Sequence, residues 1–138
     1  MNALPTGTVT FLFTDIEGST NLWEEFPEAM KAALAKHDSI LKEAVESNHG
    51  QIVKTTGDGI HAVFTTAIDA INAAIQSQHK LNSLILNYEL PITNLQSPIS
   101  SLSLKSRMGL HAGEAELREG DYFGQTLNRA ARIMSAGH

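Results

Sequence analysis

Two aspartates, Asp15 and Asp58, stand where short hydrophobic segments of the 138-residue chain meet turns. Asp15 ends the β-branched and aromatic run 8–14, and Asp58 lies between two glycines in Thr56-Gly57-Asp58-Gly59. If the strands that carry them are neighbours in one sheet, both carboxylates project from the same edge. A pair of hard oxygen ligands suits Mg²⁺, which binds through one or two carboxylates together with substrate phosphates.

The residues that follow the first aspartate add an anion-binding element. Gly18, Ser19 and Thr20 open a predicted helix, whose first backbone N–H groups point toward an anion. An alternative is that Asp15 caps the helix and Asp58 is a turn residue, which are common roles for aspartate. Either aspartate alone favours that alternative, but together with the glycines the pair favours a metal–phosphate site.

The elements that must position these residues follow from hydrophobic periodicity. A helical pattern runs from Pro27 to the stop at residues 48–50, and short strands are predicted on both sides of the Gly57-Asp58-Gly59 turn. A second long helix follows Thr66, with Ile68, Ile71 and Ile75 among the apolar positions of its stripe. The rest of the chain is predicted to form a loop over 86–101 and a strand over 102–110, in which apolar and polar residues alternate. A glycine-punctuated turn over 113–124 and a last helix from about 126 follow.

This order predicts one α+β domain over residues 1–138, a ferredoxin-like βαββαβ sandwich with an antiparallel sheet and helices on one face. Because the chain stops immediately after the last helix, where such a domain usually returns to the sheet, we expect a C-terminally truncated domain that lacks the final strands.

Composition excludes several classes of protein. The chain is 42% hydrophobic and 18% charged with a net charge of −5, which argues against a general nucleic-acid or anionic-membrane surface. It has no cysteine, hence no disulfide or thiolate site. No pair of histidines has zinc spacing, and no apolar stretch is long enough to span a bilayer. We therefore expect a cytoplasmic domain without direct membrane contact.

Three segments carry a family resemblance. They are Phe11-Leu12-Phe13-Thr14-Asp15-Ile16-Glu17-Gly18-Ser19-Thr20, Lys54-Thr55-Thr56-Gly57-Asp58-Gly59 and Asp121-Tyr122-Phe123-Gly124-Gln125-Thr126-Leu127-Asn128-Arg129-Ala130-Ala131-Arg132. In this order they resemble the class III adenylate/guanylate cyclase catalytic domain, of the bacterial adenylate cyclase type. The resemblance implies two divalent ions, Mg²⁺ or Mn²⁺, held by Asp15, Asp58 and the backbone carbonyl of Ile16. It also implies that the turn of Gly18, Ser19 and Thr20 cradles the triphosphate.

The resemblance further implies roles for four residues. Lys54 and Asp121 occupy the pair that reads the base, and this pair suits adenine, whose N1 accepts and whose N6 amine donates a hydrogen bond. Asn128 orients the ribose, and Arg132 stabilises charge on the pentavalent phosphate. Asn128 and Arg132 are four residues apart on the last helix and so share a face. From its helix position alone, Arg132 is equally well explained as a solvated surface cation.

The implied activity is that of an adenylate cyclase in intracellular signal transduction. ATP would be converted to 3′,5′-cyclic AMP and pyrophosphate by two-metal-ion phosphoryl transfer. The active sites would lie at the interface of a head-to-tail homodimer, each built from both protomers. The alternative is a catalytically inactive, nucleotide-binding regulatory or dimerisation module, because no residue here matches the family's terminal-phosphate lysine.

Overall fold

The computed structural model of the chain describes residues 4–89, 104–118 and 121–123, and these ranges contain a five-stranded antiparallel sheet and three helices. In chain order the elements are β1 Gly7–Ile16, α1 Ser19–Glu25, α2 Pro27–Ser47, β2 Gln51–Thr56, β3 Gly59–Phe64, α3 Ala67–Glu89, β4 Ser106–Arg118 and β5 Asp121–Phe123. The strand order is β2-β3-β1-β4-β5. The predicted α+β, ferredoxin-like arrangement is therefore confirmed.

Strand β1 is central and is covered on both faces, so its residues from Val9 to Leu12 are all buried, including Thr10. Successive side chains of a strand point to opposite faces, so Leu12 and Phe11 enter different clusters. Leu12 packs with Leu41 and Val45 of α2, on the face that the helices cover. Phe11 packs on the other face, with Tyr122 of β5.

Helix α3 packs against the sheet through small residues rather than through its isoleucines. Ala70, Ala73 and Ser77 are fully buried. Ile68, Ile71 and Ile75, which we expected on the core-facing stripe, are 60%, 41% and 62% exposed, so that assignment is wrong. Small side chains let the helix lie close to the sheet. With this face of α3 turned to the sheet, the larger isoleucine side chains point toward solvent. No helix among the described residues is long and apolar enough to cross a membrane.

Two predicted boundaries are also corrected. Helix α3 continues through Glu89, so the first residues of the expected 86–101 loop are helical, while 90–101 lie outside the described residues. The expected turn over 113–124 is wrong, because β4 extends to Arg118 and pairs with β5. Ala115 and Leu117 pack against the Phe11 cluster, so the apolar positions of this stretch hold it in a strand.

The β4–β5 hairpin covers the face of the sheet opposite the helices. Tyr122 is 1% exposed, and its ring meets that of Phe11 edge-on at a centroid distance of 4.9 Å. The Tyr122 hydroxyl donates a 2.6 Å hydrogen bond to the carbonyl of Pro5. Burial raises the pKa of Tyr122 to about 12. The start of β5 is thereby fixed beside β1 and β3.

Candidate active site

The structure places Asp15 and Asp58 on the wall of one cavity. This cavity has a volume of about 290 Å³ and is also lined by Lys54, Thr56 and His61. Asp15 comes from the end of β1, and Asp58 from the turn that joins β2 to β3. The two strands β1 and β3 are direct neighbours in the sheet, so both acidic residues reach the same edge.

A larger cavity lies elsewhere in the molecule and lacks this chemistry. It measures about 710 Å³, lies between the end of α2 and β2, and is lined by Lys42, Glu46, His49, Gly50, Gln51, Ile52 and Thr55. Its lining includes a single carboxylate, that of Glu46. The paired-acid chemistry therefore belongs to the smaller cavity.

A short connection between β1 and the β2–β3 turn sets how closely the two aspartates approach. The regular pairing of β1 with β3 ends at Phe13 and His61. One residue further on, the buried hydroxyl of Thr14 accepts a 3.0 Å hydrogen bond from the backbone N–H of Ile60. Gly59 packs so closely on the carbonyl group of Thr14 that a Cβ atom there would lie 3.0 Å from its carbon and closer still to its oxygen. The glycine after Asp58 is therefore needed for this approach.

Asp58 is held by the turn between β1 and α1. The hydroxyl of Ser19 donates a 2.7 Å hydrogen bond to Oδ2 of Asp58. Gly18 adopts a left-handed conformation with φ of 68°, which glycine reaches without the Cβ penalty of other residues. Ser19 and Thr20 are the first two residues of α1. Of the predicted triphosphate-binding residues, Ser19 thus lies directly beside one of the two acids.

Asp15 is paired with Arg107, a residue that sequence reasoning missed. The Nε and Nη2 atoms of Arg107 donate to the two carboxylate oxygens of Asp15 at 2.7 and 2.6 Å. The hydrogen bond to Asp15 raises the pKa of Arg107, as do the charges of Asp15, Glu17 and Asp58, while burial acts in the opposite direction. In the sequence, Arg107 stands out only as an arginine in a predicted strand of alternating polarity. Its pairing with Asp15 is visible only in the strand register, which places the two residues opposite each other.

The donor set fits a divalent metal of the magnesium type. The described residues contain no group of three or more His, Cys, Asp or Glu side chains that could hold a metal ion by itself. Two carboxylates beside a cavity suit Mg²⁺ or Mn²⁺, which take their remaining ligands from water and substrate phosphates. Ile16, whose backbone carbonyl we expected as a third oxygen donor, follows Asp15 directly at the end of β1 but is not among the residues that line the cavity.

The remaining predicted site residues are placed in part. Lys54 lies on β2 opposite His61, and Asp121 is the first residue of β5. The ring of Tyr122, the next residue, lies 6.4 Å from the ring of His61. The backbone that carries Asp121 is therefore anchored on the part of the sheet that also carries Lys54. Asn128, Arg132 and the predicted last helix lie outside the described residues.

Comparisons with known proteins agree with this fold. The model of the family "Adenylate and Guanylate cyclase catalytic domain" matches residues 1–138. An uncharacterized protein of Mycobacterium tuberculosis is 37% identical over 137 residues, which cover 97% of this chain and 41% of that protein. An adenylate cyclase of Podospora anserina is 35% identical over 144 residues, covering 95% of this chain and 7% of that protein. The chain thus spans less than half the length of these relatives.

A solved structure shows the same fold. Adenylate cyclases of Trypanosoma brucei, solved in their monomeric state, include a chain that superposes with a TM-score of 0.78 at 28% sequence identity. The match covers 99% of this chain and 72% of that one.

The family match and the shared fold identify the class of the chain as an α+β nucleotide cyclase domain. More specifically, the chain belongs to the adenylate and guanylate cyclase catalytic domain family.

Proposed function

We propose that this domain is an adenylate cyclase, which converts ATP to 3′,5′-cyclic AMP and pyrophosphate in intracellular signal transduction. The observation that carries the proposal is the shared cavity whose wall holds two carboxylates, those of Asp15 and Asp58. Relatives named adenylate cyclase, such as the Podospora anserina protein, support the choice of reaction.

In this proposal the acids hold divalent ions, and the turn at the start of α1 contacts phosphate. Asp15, Asp58 and the Ile16 carbonyl would hold two Mg²⁺ or Mn²⁺ ions. When bound, such ions lower the pKa of the ribose 3′-hydroxyl and neutralise charge on the phosphates. The backbone N–H groups of Gly18, Ser19 and Thr20 would donate to the triphosphate. The 3′-oxygen attacks the α-phosphorus and loses its proton to solvent, and the bond from that phosphorus to the bridging oxygen of the pyrophosphate breaks.

Base selection is assigned to Lys54 and Asp121. A lysine donates to N1 of adenine, and an aspartate accepts from its N6 amine. Guanine presents the opposite pattern, with an acceptor at O6 and a donor at N1. The anchoring of β5 by Tyr122 near the partner strand of Lys54 supports a common role for the two residues. We therefore propose ATP rather than GTP as the substrate.

The transition state and the assembly complete the proposal. Asn128 would orient the ribose, and Arg132 would stabilise charge on the phosphorus, a role in which one arginine contributes several orders of magnitude in related phosphoryl transfers. We propose a head-to-tail homodimer in which one protomer supplies the acids and its partner the base-reading residues.

The test is cyclic nucleotide formation with ATP and GTP offered separately in the presence of Mn²⁺. We expect cyclic AMP from ATP and little cyclic GMP from GTP. Asp15→Asn should reduce the rate by more than about a hundredfold, since even outer-shell partners of metal ligands contribute 10–100-fold. Glu46→Gln, which removes an exposed carboxylate on α2, is the matched control and should not change the rate. ATP binding without turnover would instead identify a regulatory nucleotide-binding module.

A further inference from the structure

Arg107 is built into the candidate site by the fold and not by a chance side-chain conformation. In the antiparallel pairing of β1 with β4, Asp15 and Arg107 are directly opposite residues. Their side chains are 20% and 24% exposed, and both carboxylate oxygens of Asp15 receive a guanidinium N–H. Bidentate pairs of this kind are the geometrically most specific form of charge-assisted hydrogen bond.

The two acids of the cavity therefore differ in how they are held. Asp58 accepts a hydrogen bond from the neutral hydroxyl of Ser19, which can rotate away at little electrostatic cost. Asp15 is held by a full positive charge. A guanidinium and a divalent cation repel each other strongly when both lie within hydrogen-bond or ligand distance of one carboxylate in a partly buried site.

We propose that Arg107 is a positioning residue of the site that holds the Asp15 carboxylate in place and competes with the divalent ion for it. This inference rests on the proposed function, and its consequence is that metal binding depends on nucleotide binding. Metal ions alone bind Asp15 weakly because they must displace Arg107. Metal ions bind better together with a polyphosphate, whose negative charge compensates the guanidinium for the lost partner. Metal and nucleotide binding are thereby coupled, so that a metal ion binds the site more weakly without nucleotide than with it.

The test is a titration with Mn²⁺ followed by electron paramagnetic resonance, which measures metal affinity without turnover. In the absence of nucleotide, Arg107→Gln should bind Mn²⁺ about tenfold more tightly than the wild type, within the range typical of coupled sites. The gain in Mn²⁺ affinity that a non-hydrolysable ATP analogue produces should shrink in the same variant. Lys80→Gln, which removes a cation from the α3 surface, should match the wild type in both measurements.

Two further measurements keep the inference testable if Arg107→Gln does not fold. Arg107→Lys keeps the charge but loses the bidentate geometry, and its Mn²⁺ affinity should lie between those of the wild type and Arg107→Gln. In the wild type, the ¹⁵N resonance of the Arg107 Nε–H should shift when Mg²⁺ and the ATP analogue are added together, and not with Mg²⁺ alone.

The outcomes separate this inference from the proposed function. Wild-type and Arg107→Gln proteins with equal Mn²⁺ affinity, or a weaker affinity in the variant, would overturn the competition while leaving the cyclase proposal intact. A wild-type protein and variants that bind no Mn²⁺ even with the ATP analogue would overturn both.

Discussion

Replacing Gly59 by alanine tests whether the approach of the β2–β3 turn to β1 sets the geometry of the two acids. The new Cβ atom would lie 3.0 Å from the carbonyl carbon of Thr14, 3.2 Å from the hydroxyl oxygen of Thr56, and closer still to the Thr14 carbonyl oxygen, whereas ordinary contacts are 3.4–4 Å. Because the closest atoms belong to the backbone, the turn that carries Asp58 must retreat by about 1 Å, a displacement of a size that can cost about a hundredfold in rate.

Two effects of different size follow from this clash. Overpacking of a close contact typically costs about 1–3 kcal/mol, so the free energy of unfolding should fall by that amount and the Tm by roughly 5–15 °C. Mg²⁺ and Mn²⁺ sites require near-ideal ligand distances, so cyclase kcat/KM should fall by about a hundredfold in the protein that remains folded.

Gly57→Ala is the matched control, since Gly57 lies on the other side of Asp58 and a Cβ there meets nothing within 4 Å. We expect it to keep its stability within about 0.5 kcal/mol and its activity close to the wild type. Thermal unfolding and cyclic AMP formation, measured on all three proteins, decide the matter. Equal damage in the two variants, or wild-type behaviour of Gly59→Ala, would refute the reasoning.

Three further predictions concern stability. Thr14→Val leaves the buried N–H of Ile60 without its acceptor and should lower the free energy of unfolding by about 1–3 kcal/mol, whereas Thr14→Ser should retain most of it; chemical denaturation of both variants checks this. Because the pKa of Tyr122 is raised to about 12, above its ordinary value of 10.0, the unfolded chain loses this proton first as the pH rises. The free energy of unfolding should therefore fall by about 1–2 kcal/mol between about pH 10 and pH 12, a decrease that Tyr122→Phe should lack in denaturant titrations across this range. Ile75→Gln should change the free energy of unfolding by less than about 0.5 kcal/mol, whereas Leu41→Ala in the core should lower it by about 2–5 kcal/mol. Thermal unfolding checks this, and a Tm for Leu41→Ala that is not lower than the Tm for Ile75→Gln would contradict the observed burial.

The strands and the acidic pair could be predicted from local chemistry. A β-branched and aromatic run that ends in Asp15, and a turn with a glycine on each side of Asp58, are signals that a few consecutive residues carry. The sequence left open whether the two strands are neighbours, and the structure pairs β1 with β3 and places both acids beside one cavity.

The packing of α3 could not be predicted from hydrophobicity alone. The helix has apolar residues on two faces, and Ile68, Ile71 and Ile75 are more hydrophobic than Ala70 and Ala73. The alanines face the sheet because their small side chains let the helix lie close to it, and they are 0% and 1% exposed. That choice depends on the distance between the helix and the sheet, which periodicity does not contain.

The extension of β4 and its strand pairing could also not be predicted from the local sequence. Glu114 and Glu116 lie in the stretch that we expected as a turn, but they are exposed positions of a strand. The other face of that strand, Ala115 and Leu117, packs on the Phe11 cluster. The register that follows also brings Arg107 opposite Asp15. Residues that are 92 positions apart in the chain form this ion pair, so no local pattern could predict it.

The most direct test of the central claim is the Mn²⁺ affinity of Asp15→Asn and Asp58→Asn proteins in the presence of a non-hydrolysable ATP analogue. If the two carboxylates together hold the divalent ions, each single variant should bind Mn²⁺ at least about tenfold more weakly than the wild type, with Glu46→Gln unchanged. Wild-type Mn²⁺ affinity in both aspartate variants would contradict the account.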